Sequence, residues 1–363
     1  MNNFKKHLSI LLAGICACTL VACATNVTPG AAPSAAPSAP AESAAPAAAA
    51  PDTSSPETTT ELVKIDDISL VAGNSTGGWF SIATALADRA NAYFDGFPIV
   101  ATTGGALGNP QTVSVGEADV GMSYGIFLNM AQEGASPYSD VMTNLRSIAG
   151  LETTAVYFIC DASLGISTVK ELAESTADIS IGSLDSAAAS YCVQELVMQE
   201  YGLNSIADLQ KKGSMYIADG SSLYESYGDG HFNVMCTMKA VPDSSTIDLL
   251  NNRASKILEL DEETIDKLVE KYDWARVTIP AGTYAGQDED IHTVGIKTVL
   301  MCREDVPEEV SYYLAKTLYE QKDYFDTVQA SWQKFTKDEL AEGVAIELHP
   351  GAAKYWEEVG LAK

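Results

Sequence analysis

Three glycine-rich turns in this sequence carry the residue types that hold a small anion without a charged side chain. They lie at residues 73–80 (GNSTGGWF), 102–109 (TTGGALGN) and 182–186 (GSLDS). Glycine lets the backbone approach a ligand closely, while serine, threonine and asparagine supply hydrogen-bond donors. The N–H groups at the start of a helix are unpaired and carry a partial positive charge. One such turn is more often structural, but three in one chain indicate a binding site.

Strands and helices alternate around these turns, which is typical of parallel sheets covered by helices on both faces. We predict strands at residues 63–71, 97–101, 119–123, 146–160, 179–181, 232–238, 276–279 and 293–302, and helices at 78–93, 108–115, 185–201 and after residues 168 and 307. Two such runs on either side of about residue 158 predict an α/β fold with two lobes. In open sheets of this kind, ligands bind beyond the carboxyl ends of the strands, where turns lead into helices.

The first 63 residues predict an exported, lipid-anchored protein. Lys5 and Lys6 precede an apolar run at residues 8–22, which is too short to span a bilayer but suits the core of a signal peptide. The run ends in LVAC at residues 20–23, which resembles a bacterial lipobox, so we expect residues 1–22 to be removed and Cys23 to be acylated. Residues 24–63 are rich in alanine, proline and serine, which is typical of a disordered linker.

Composition and motifs exclude several classes of function. The formal net charge of −27 at pH 7 repels nucleic acid, so a DNA or RNA partner is not expected. His231, His292 and His349 are scattered, with no HxxxH pair that would indicate a zinc site. The sequence contains neither G-x-x-x-x-G-K-[ST] nor G-x-G-x-x-G, the usual phosphate-binding motifs of nucleotide sites. We therefore expect no metal and no other cofactor.

Four cysteines follow the proposed lipid-bearing residue: Cys160, Cys192, Cys236 and Cys302. Their wide spacing excludes a CxxC redox or zinc motif. In an exported protein they can form disulfides or remain as free thiols, and the sequence does not choose between the two states.

Six short motifs occur along the folded part of the chain: STGGWF at 75–80, TGG at 103–105 followed by Asn109, GEADVG at 116–121, LRSIA at 145–149, IPAGTY at 279–284 and LHPGA at 348–352. In this order they resemble the TAXI family, the solute-binding subunits of one class of tripartite ATP-independent periplasmic (TRAP) transporters. The likeness covers residues 66–360.

The resemblance implies a periplasmic-binding-protein type II fold, in which two lobes joined by a hinge close on a ligand and deliver it to a TRAP permease driven by an ion gradient. Known ligands of the family include glutamate, glutamine and related small carboxylates. This chain departs from the family at Trp79 and Phe80, where paired tyrosines are usual, at residues 106–108 (ALG), which replace a more polar stretch, and at Asn233, where aspartate is expected. We expect a monomer that binds a small carboxylate or amino acid, with lobe 1 at 64–157 and 303–363 and lobe 2 at 158–302.

The expected ligand contacts come from the three turns and the strands beside them. They are, in the first lobe, Ser75, Thr76, Gly77, Gly78, Trp79, Phe80, Thr103, Gly105, Asn109, Ser123 and Tyr124 and, in the second lobe, Ser183, Ser186, Thr237 and Tyr284. We expect the backbone N–H groups of Gly77 and Gly78 to hold a carboxylate. Trp79 or Phe80 is expected to pack on the carbon skeleton of the ligand, although core packing explains these two aromatic residues equally well.

Two other interpretations stay open. GNSTG at residues 73–77 spells G-x-S-x-G, the nucleophile elbow of an α/β hydrolase, with Ser75 as nucleophile and His349 as base. This elbow follows the first strand of the folded body and no HGGG-type loop precedes it, so we favour a non-catalytic binding protein and interpret HPGA at 349–352 as the start of a C-terminal helix. A ligand-sensing surface receptor with the same fold is the second alternative, because fold alone does not determine function.

Overall fold

The structure is a computed structural model, and it describes residues 67–75, 77–93, 98–186, 188–203, 215–218 and 220–361. The predicted signal peptide, Cys23 and the linker lie outside the described residues, as does Thr76 of the first glycine-rich turn. No described helix is long and apolar enough to cross a membrane.

The strands of the described chain form one mixed sheet. They are β1 (Ile68–Val71), β2 (Ile99–Thr102), β3 (Val120–Tyr124), β4 (Leu145–Asp161), β5 (Ile181–Ser183), β6 (Met215–Ile217), β7 (Val234–Lys239), β8 (Ser255–Ile257), β9 (Ala275–Ile279) and β10 (Ile291–Arg303). Their order is β2-β1-β3-β10-β4-β7-β5-β6, with β8 paired to β4 and β9 paired to β10.

Helices cover this sheet. The described α-helices are α1 (Gly78–Tyr93), α2 (Asn109–Ser114), α3 (Gly125–Glu133), α4 (Val169–Glu174), α5 (Ala189–Glu200), α6 (Gly220–Gly228), α7 (Ser244–Asn252), α8 (Glu262–Tyr272), α9 (Glu308–Glu320), α10 (Lys322–Val328) and α11 (Pro350–Glu358). Thr168 and Glu171 form a capping box that opens α4, in agreement with the helix predicted after residue 168. His349 caps α11 as expected, since its side chain accepts a hydrogen bond from the N–H of Gly351.

Two long strands join the ends of the sheet. At one end β1 is parallel to β2 and β3, and at the other end β5 is parallel to β6 and β7. Between them, β4 and β10 run antiparallel to each other and to their outer neighbours β7 and β3. The two-lobed α/β fold class expected from the sequence is confirmed, with parallel strands in each lobe and antiparallel strands between them.

The buried core is divided in a similar way. One group of apolar side chains, which includes Ile68 and Leu314, comes from residues 68–151 and 300–356. Another group, which includes Tyr157 and Phe232, comes from residues 155–284. A third group connects the two lobes, because it joins Phe127 of α3 to residues of β4, β7 and β10. The lobe boundaries given above remain a prediction.

The start of α5 differs from the sequence prediction. We expected a helix from Asp185, but α5 begins at Ala189. Before α5 the N–H of Ala188 donates to the carbonyl of Asp185 at 3.0 Å, which is typical of a turn, and Ala188 itself has extended backbone angles. Aspartate and serine favour such turns because their short polar side chains compete for local backbone groups.

The four described cysteines are free thiols, which resolves the choice that the sequence left open. Cys160, Cys236 and Cys302 are buried, and Cys192 is half-buried. Burial raises the pKa of Cys160 and of Cys192 to about 11, so both remain protonated and unreactive near neutral pH.

Alkylation should therefore depend on unfolding. We would treat the native protein with iodoacetamide at about pH 7.5, roughly one unit below the usual cysteine pKa. Of the four cysteines, we expect Cys192 alone to be modified, and slowly. All four should react once urea unfolds the chain, as peptide mass spectrometry would show. If two of the four cysteines stayed unmodified in the urea-unfolded, unreduced protein, they would be joined in a disulfide.

Candidate functional site

A cavity opens where the parallel strands of both lobes end. Its volume is about 360 Å³, and it lies beyond the carboxyl ends of β1, β2 and β3 on one side and of β5 and β7 on the other. The described residues that line it are Gly73, Asn74, Gly77, Gly78, Trp79, Gly104, Gly105, Ala106, Tyr124, Glu152, Thr154, Leu184, Ala188, Ala189, Ser190, Met238, Lys239, Ala240, Asp243 and Gln329. This is the place where open α/β sheets bind their ligands.

A second and larger cavity of about 990 Å³ adjoins the first. The two share part of their lining: Asn74, Gly77, Leu184, Ser190, Met238 and Lys239. Beyond these residues the second cavity extends along Thr237 of β7 and along α6 and α7 of the second lobe. Thr237 was expected to contact the ligand, and it is one residue away from the shared part of the lining.

The first glycine-rich turn lies against the cavity, as predicted. Gly77 and Gly78 line it, whereas Ser75 is exposed and outside the described lining. The N–H of Gly77 donates to the carbonyl of Asn74 at 3.0 Å, so this amide is used to close the turn. Gly78 begins α1, where the N–H groups of the first helical turn have no carbonyl partner within the helix. Of the two amides expected to hold a carboxylate, that of Gly77 is engaged within the turn and that of Gly78 stands at the start of α1.

The second glycine-rich turn is held by buried side chains. The amide of Asn109, which is 1 % exposed, accepts from the N–H of Gly105 at 2.9 Å and donates to the carbonyls of Ala72 and Met122, both at 2.7 Å. The hydroxyl of Ser123 donates to the carbonyl of Ala106 at 2.7 Å.

These bonds change the roles expected from the sequence. Asn109 and Ser123 are not among the described residues that line the cavity, and their polar atoms fix the backbone of the turn. Gly105 does line the cavity, while Thr103 is exposed and lies outside the lining. The second turn thus shapes the cavity through its backbone, with Asn109 as a positioning residue.

Two aromatic rings form one wall of the cavity. The centroids of Trp79 and Tyr124 are 4.9 Å apart with an interplanar angle of 59°. The hydroxyl of Tyr124 donates to Oγ1 of Thr154 at 3.5 Å, and burial raises the pKa of Tyr124 to about 12. Phe80 follows Trp79 on α1 but is outside the described lining, so of the two aromatic residues expected to contact the carbon skeleton of a ligand, Trp79 is the one that lines the cavity.

In the second lobe the cavity meets α5 and not the turn residues expected. Ser186 is exposed and outside the described lining, and Ser183 is buried on β5. Ser190, in the first turn of α5, lines both cavities, and its hydroxyl has no hydrogen-bond partner in the described part of the chain. Gln194 lies one turn further along α5, and neither Oε1 nor Nε2 of its amide has a hydrogen-bond partner in the described part of the chain.

Tyr284 occupies a supporting position. Its hydroxyl lies 2.9 Å from that of Tyr157 and accepts from the N–H of Asp243 at 3.2 Å. Tyr284 is not among the described residues of either cavity, whereas Asp243 lines the first. It therefore positions the backbone of a lining residue, in contrast with the ligand contact that the sequence suggested.

Sequence reasoning missed the carboxylate of Glu152. This residue lies in β4, is 4 % exposed and lines the cavity. Its oxygens accept from Nε2 of Gln329 at 3.1 and 3.3 Å and from the hydroxyl of Ser331. Burial raises the pKa of Glu152, and the bonds from Ser331 and Gln329 oppose that rise. Glu152 is the one charged residue of β4 between Arg146 and Asp161, and this was the available signal.

Comparison with known proteins gives the family. A model described as the NMT1-like family matches residues 70–360. The chain belongs to the NMT1-like family. The match includes both glycine-rich turns of the first lobe, the whole of β4 and the C-terminal helices, and therefore every described residue of the two cavities.

Solved structures with a similar chain course are remote in sequence. MatC from Rhodopseudomonas palustris with bound malate is 17 % identical, with 74 % of this chain and 89 % of that chain covered and a TM-score of 0.49. The periplasmic binding protein BugD is 15 % identical, with coverage of 82 % and 98 % and a TM-score of 0.48. The aliphatic sulphonate binding protein SsuA from Escherichia coli is 12 % identical, with coverage of 81 % and 83 % and a TM-score of 0.43. Sequence identities and TM-scores this low do not indicate which ligand this NMT1-like chain binds.

The hydrolase alternative requires His349 to act as a base. In this NMT1-like chain His349 is 1 % exposed, its Nδ1 lies 2.7 Å from Oγ of Ser311, and it caps α11. Burial lowers the pKa of His349. These contacts explain the histidine as part of the helix start, which is the role we predicted for residues 349–352.

Proposed function

We propose that this chain is an extracytoplasmic solute-binding protein of the TAXI type, which captures a small carboxylate or amino acid and delivers it to a TRAP permease. The observation that carries the proposal is the cavity at the carboxyl ends of β1, β2, β3, β5 and β7, to which both lobes contribute. The motif resemblance to the TAXI family supports the finer assignment. The lipobox-like sequence at residues 20–23 supports an anchor through Cys23 on the outer side of a membrane.

Lobe closure around the solute is part of this proposal. β4 and β10 connect the lobes, and their pairing shifts register between Lys297 and Val299 and again between Leu300 and Met301. Such irregularities bend a strand and weaken its pairing locally. We place the hinge there, with lobe 1 at 64–157 and 303–363 and lobe 2 at 158–302. Glu152 lies opposite this irregular stretch, next to the cavity.

The lining supports a solute that carries an anionic group. The N-termini of α1 and α5 both reach the cavity, through Gly78 and through Ala189 with Ser190. Helix N-termini favour negative charge. Lys239 at the end of β7 adds a cationic side chain to the same lining. A cavity of about 360 Å³ is at the small end of the range for ligand sites, which suits a molecule of amino-acid size.

A thermal-shift screen of small carboxylates and amino acids tests the proposal. A true ligand at about 100 times its dissociation constant should stabilise the protein by about 2.7 kcal/mol, which is readily visible as a rise in Tm. Native mass spectrometry should recover the same ligand unchanged after incubation. If no compound raises Tm, or if the ligand returns chemically altered, the binding-protein assignment is wrong.

A further inference from the structure

We propose that Glu152, Gln329 and Ser331 form a subsite for a positively charged nitrogen, so that the solute is an amino acid or another amine and not a plain carboxylic acid. This inference rests on the proposed function, since it assigns one end of the solute that the cavity binds. Gln329 and Ser331 come from the segment after α10, more than 170 residues beyond Glu152 in sequence.

The donors around Glu152 favour its ionised form. Nε2 of Gln329 donates to both carboxylate oxygens, and the hydroxyl of Ser331 donates to Oε2. Nε2 of Gln329 can donate but cannot accept, so its position against both oxygens favours a carboxylate as its partner. Glu152 is therefore built to accept hydrogen bonds from the cavity side.

Within the described chain the charge of Glu152 is not balanced by a cationic side chain. Among the described residues, no lysine, arginine or histidine forms an ion pair with it, and its two partners are neutral. A buried charge without an opposite charge is unfavourable, which agrees with the raised pKa of Glu152. A cationic group in the cavity would supply the missing charge and a short, strong hydrogen bond.

A second acceptor lies beside the carboxylate. Because Nε2 of Gln329 is directed at Glu152, its Oε1 points the other way, where it is buried and has no hydrogen-bond partner in the described part of the chain. Oε1 faces Gly78 at the start of α1. An ammonium group has three N–H donors and can satisfy a carboxylate oxygen and an amide oxygen together.

The aromatic wall points to the same chemistry. The faces of Trp79 and Tyr124 carry partial negative charge and attract cations within about 6 Å. Both rings line the cavity together with Glu152 and Gln329. Ser190, Lys239 and the N-terminus of α5 line it from the second lobe and suit a carboxylate. Gly78 also brings the N-terminus of α1 next to the acceptors of Gln329, so the cavity offers acceptors to the ammonium group and donors to the carboxylate of a zwitterion.

Matched pairs of ligands that differ by one amino group test this inference in the unmodified protein. Titration calorimetry would compare L-glutamate with glutarate, L-aspartate with succinate and L-alanine with propionate. We expect the amino acid of the best-binding pair to bind about ten- to a hundredfold more tightly, the factor for one charge-assisted hydrogen bond. Equal affinities, or tighter binding of the plain acid, would overturn the subsite but leave the proposed function intact. Failure of every compound would overturn both.

A pair of variants then assigns the effect to Glu152. Glu152→Gln keeps the shape of the side chain and removes its charge, while Glu347→Gln does the same at a side chain that is 78 % exposed. We expect Glu152→Gln to lose about ten- to a hundredfold in affinity for the amino acid and to leave the affinity for the plain acid unchanged. Glu347→Gln should match wild type throughout. An equal loss for both members of the pair with a lower Tm would indicate a merely structural carboxylate.

Discussion

Asn109→Asp is expected to lower the free energy of unfolding by about 3 kcal/mol or more, the usual cost of a buried charge left without a partner. Nδ2 of Asn109 donates to the carbonyls of Ala72 and Met122, and a carboxylate oxygen in its place would face both carbonyl oxygens. Because Asn109 is 1 % exposed, water cannot relieve this repulsion. The ends of β1 and β3 and the turn at Gly105 would lose their common support.

Urea unfolding followed by circular dichroism measures this effect. The matched control is Asn251→Asp, because Asn251 is exposed on α7 and the same change of atoms there should alter the free energy of unfolding by less than about 0.5 kcal/mol. Ligand affinity of the Asn109 variant should fall as well, since Gly105 lines the cavity. Equal stability of the two variants would show that the buried amide does not hold the turn.

The sequence predicted the outline of this site because the information is local. A strand, a glycine-rich turn and a helix lie within about 25 residues in each unit, and the bounds predicted for α1 are those observed. The rule that ligands bind at carboxyl ends of parallel strands then placed the first turn beside the cavity. Gly78, Trp79 and Tyr124 follow from that reasoning.

The roles of polar residues were harder to predict because their partners are distant. Asn109 follows a glycine-rich turn in the same way as a ligand contact would, yet its amide bonds to Ala72 and Met122, 37 and 13 residues away. Glu152 meets Gln329 and Ser331 across 177 and 179 residues. The local sequence pattern does not predict which distant residues form these hydrogen bonds, because the bonds to Glu152 depend on how the C-terminal segment packs against β4.

The same limit applies to the turn before α5. A helix pattern from residue 185 was reasonable from composition, but the observed start of α5 at Ala189 moves Ser186 away from the cavity and brings Ser190 to it. A shift of four residues advances a helix by slightly more than one turn. An error at an element boundary therefore changes which hydroxyl reaches the ligand, even when the element itself is correctly predicted.

Gly78→Leu is expected to abolish solute binding while leaving the fold intact. A Cβ at Gly78 would overlap Oε1 of Gln329 and lie 2.8 Å from its Cδ and Nε2, so the Gln329 side chain must move away from Glu152. The rest of the leucine side chain would enter the cavity that Gly78 lines. We expect affinity to fall by about a hundredfold or more, because the variant removes hydrogen-bonding groups and occupies the ligand volume.

Stability should respond much less than affinity to this substitution. Gly78 is exposed at the first position of α1, and the end of a glutamine side chain can adopt another rotamer at small cost. Leucine also has a higher helix propensity than glycine, which offsets part of the cost of withdrawing Gln329 from Glu152, so the free energy of unfolding should fall by only about 1 kcal/mol. The control is Gly108→Leu, at an exposed glycine outside the described lining where a Cβ meets only the carbonyl of Gly105 at 3.9 Å. Titration calorimetry that found unchanged affinity in Gly78→Leu would remove the turn from the binding site, because Gly78 lines the cavity.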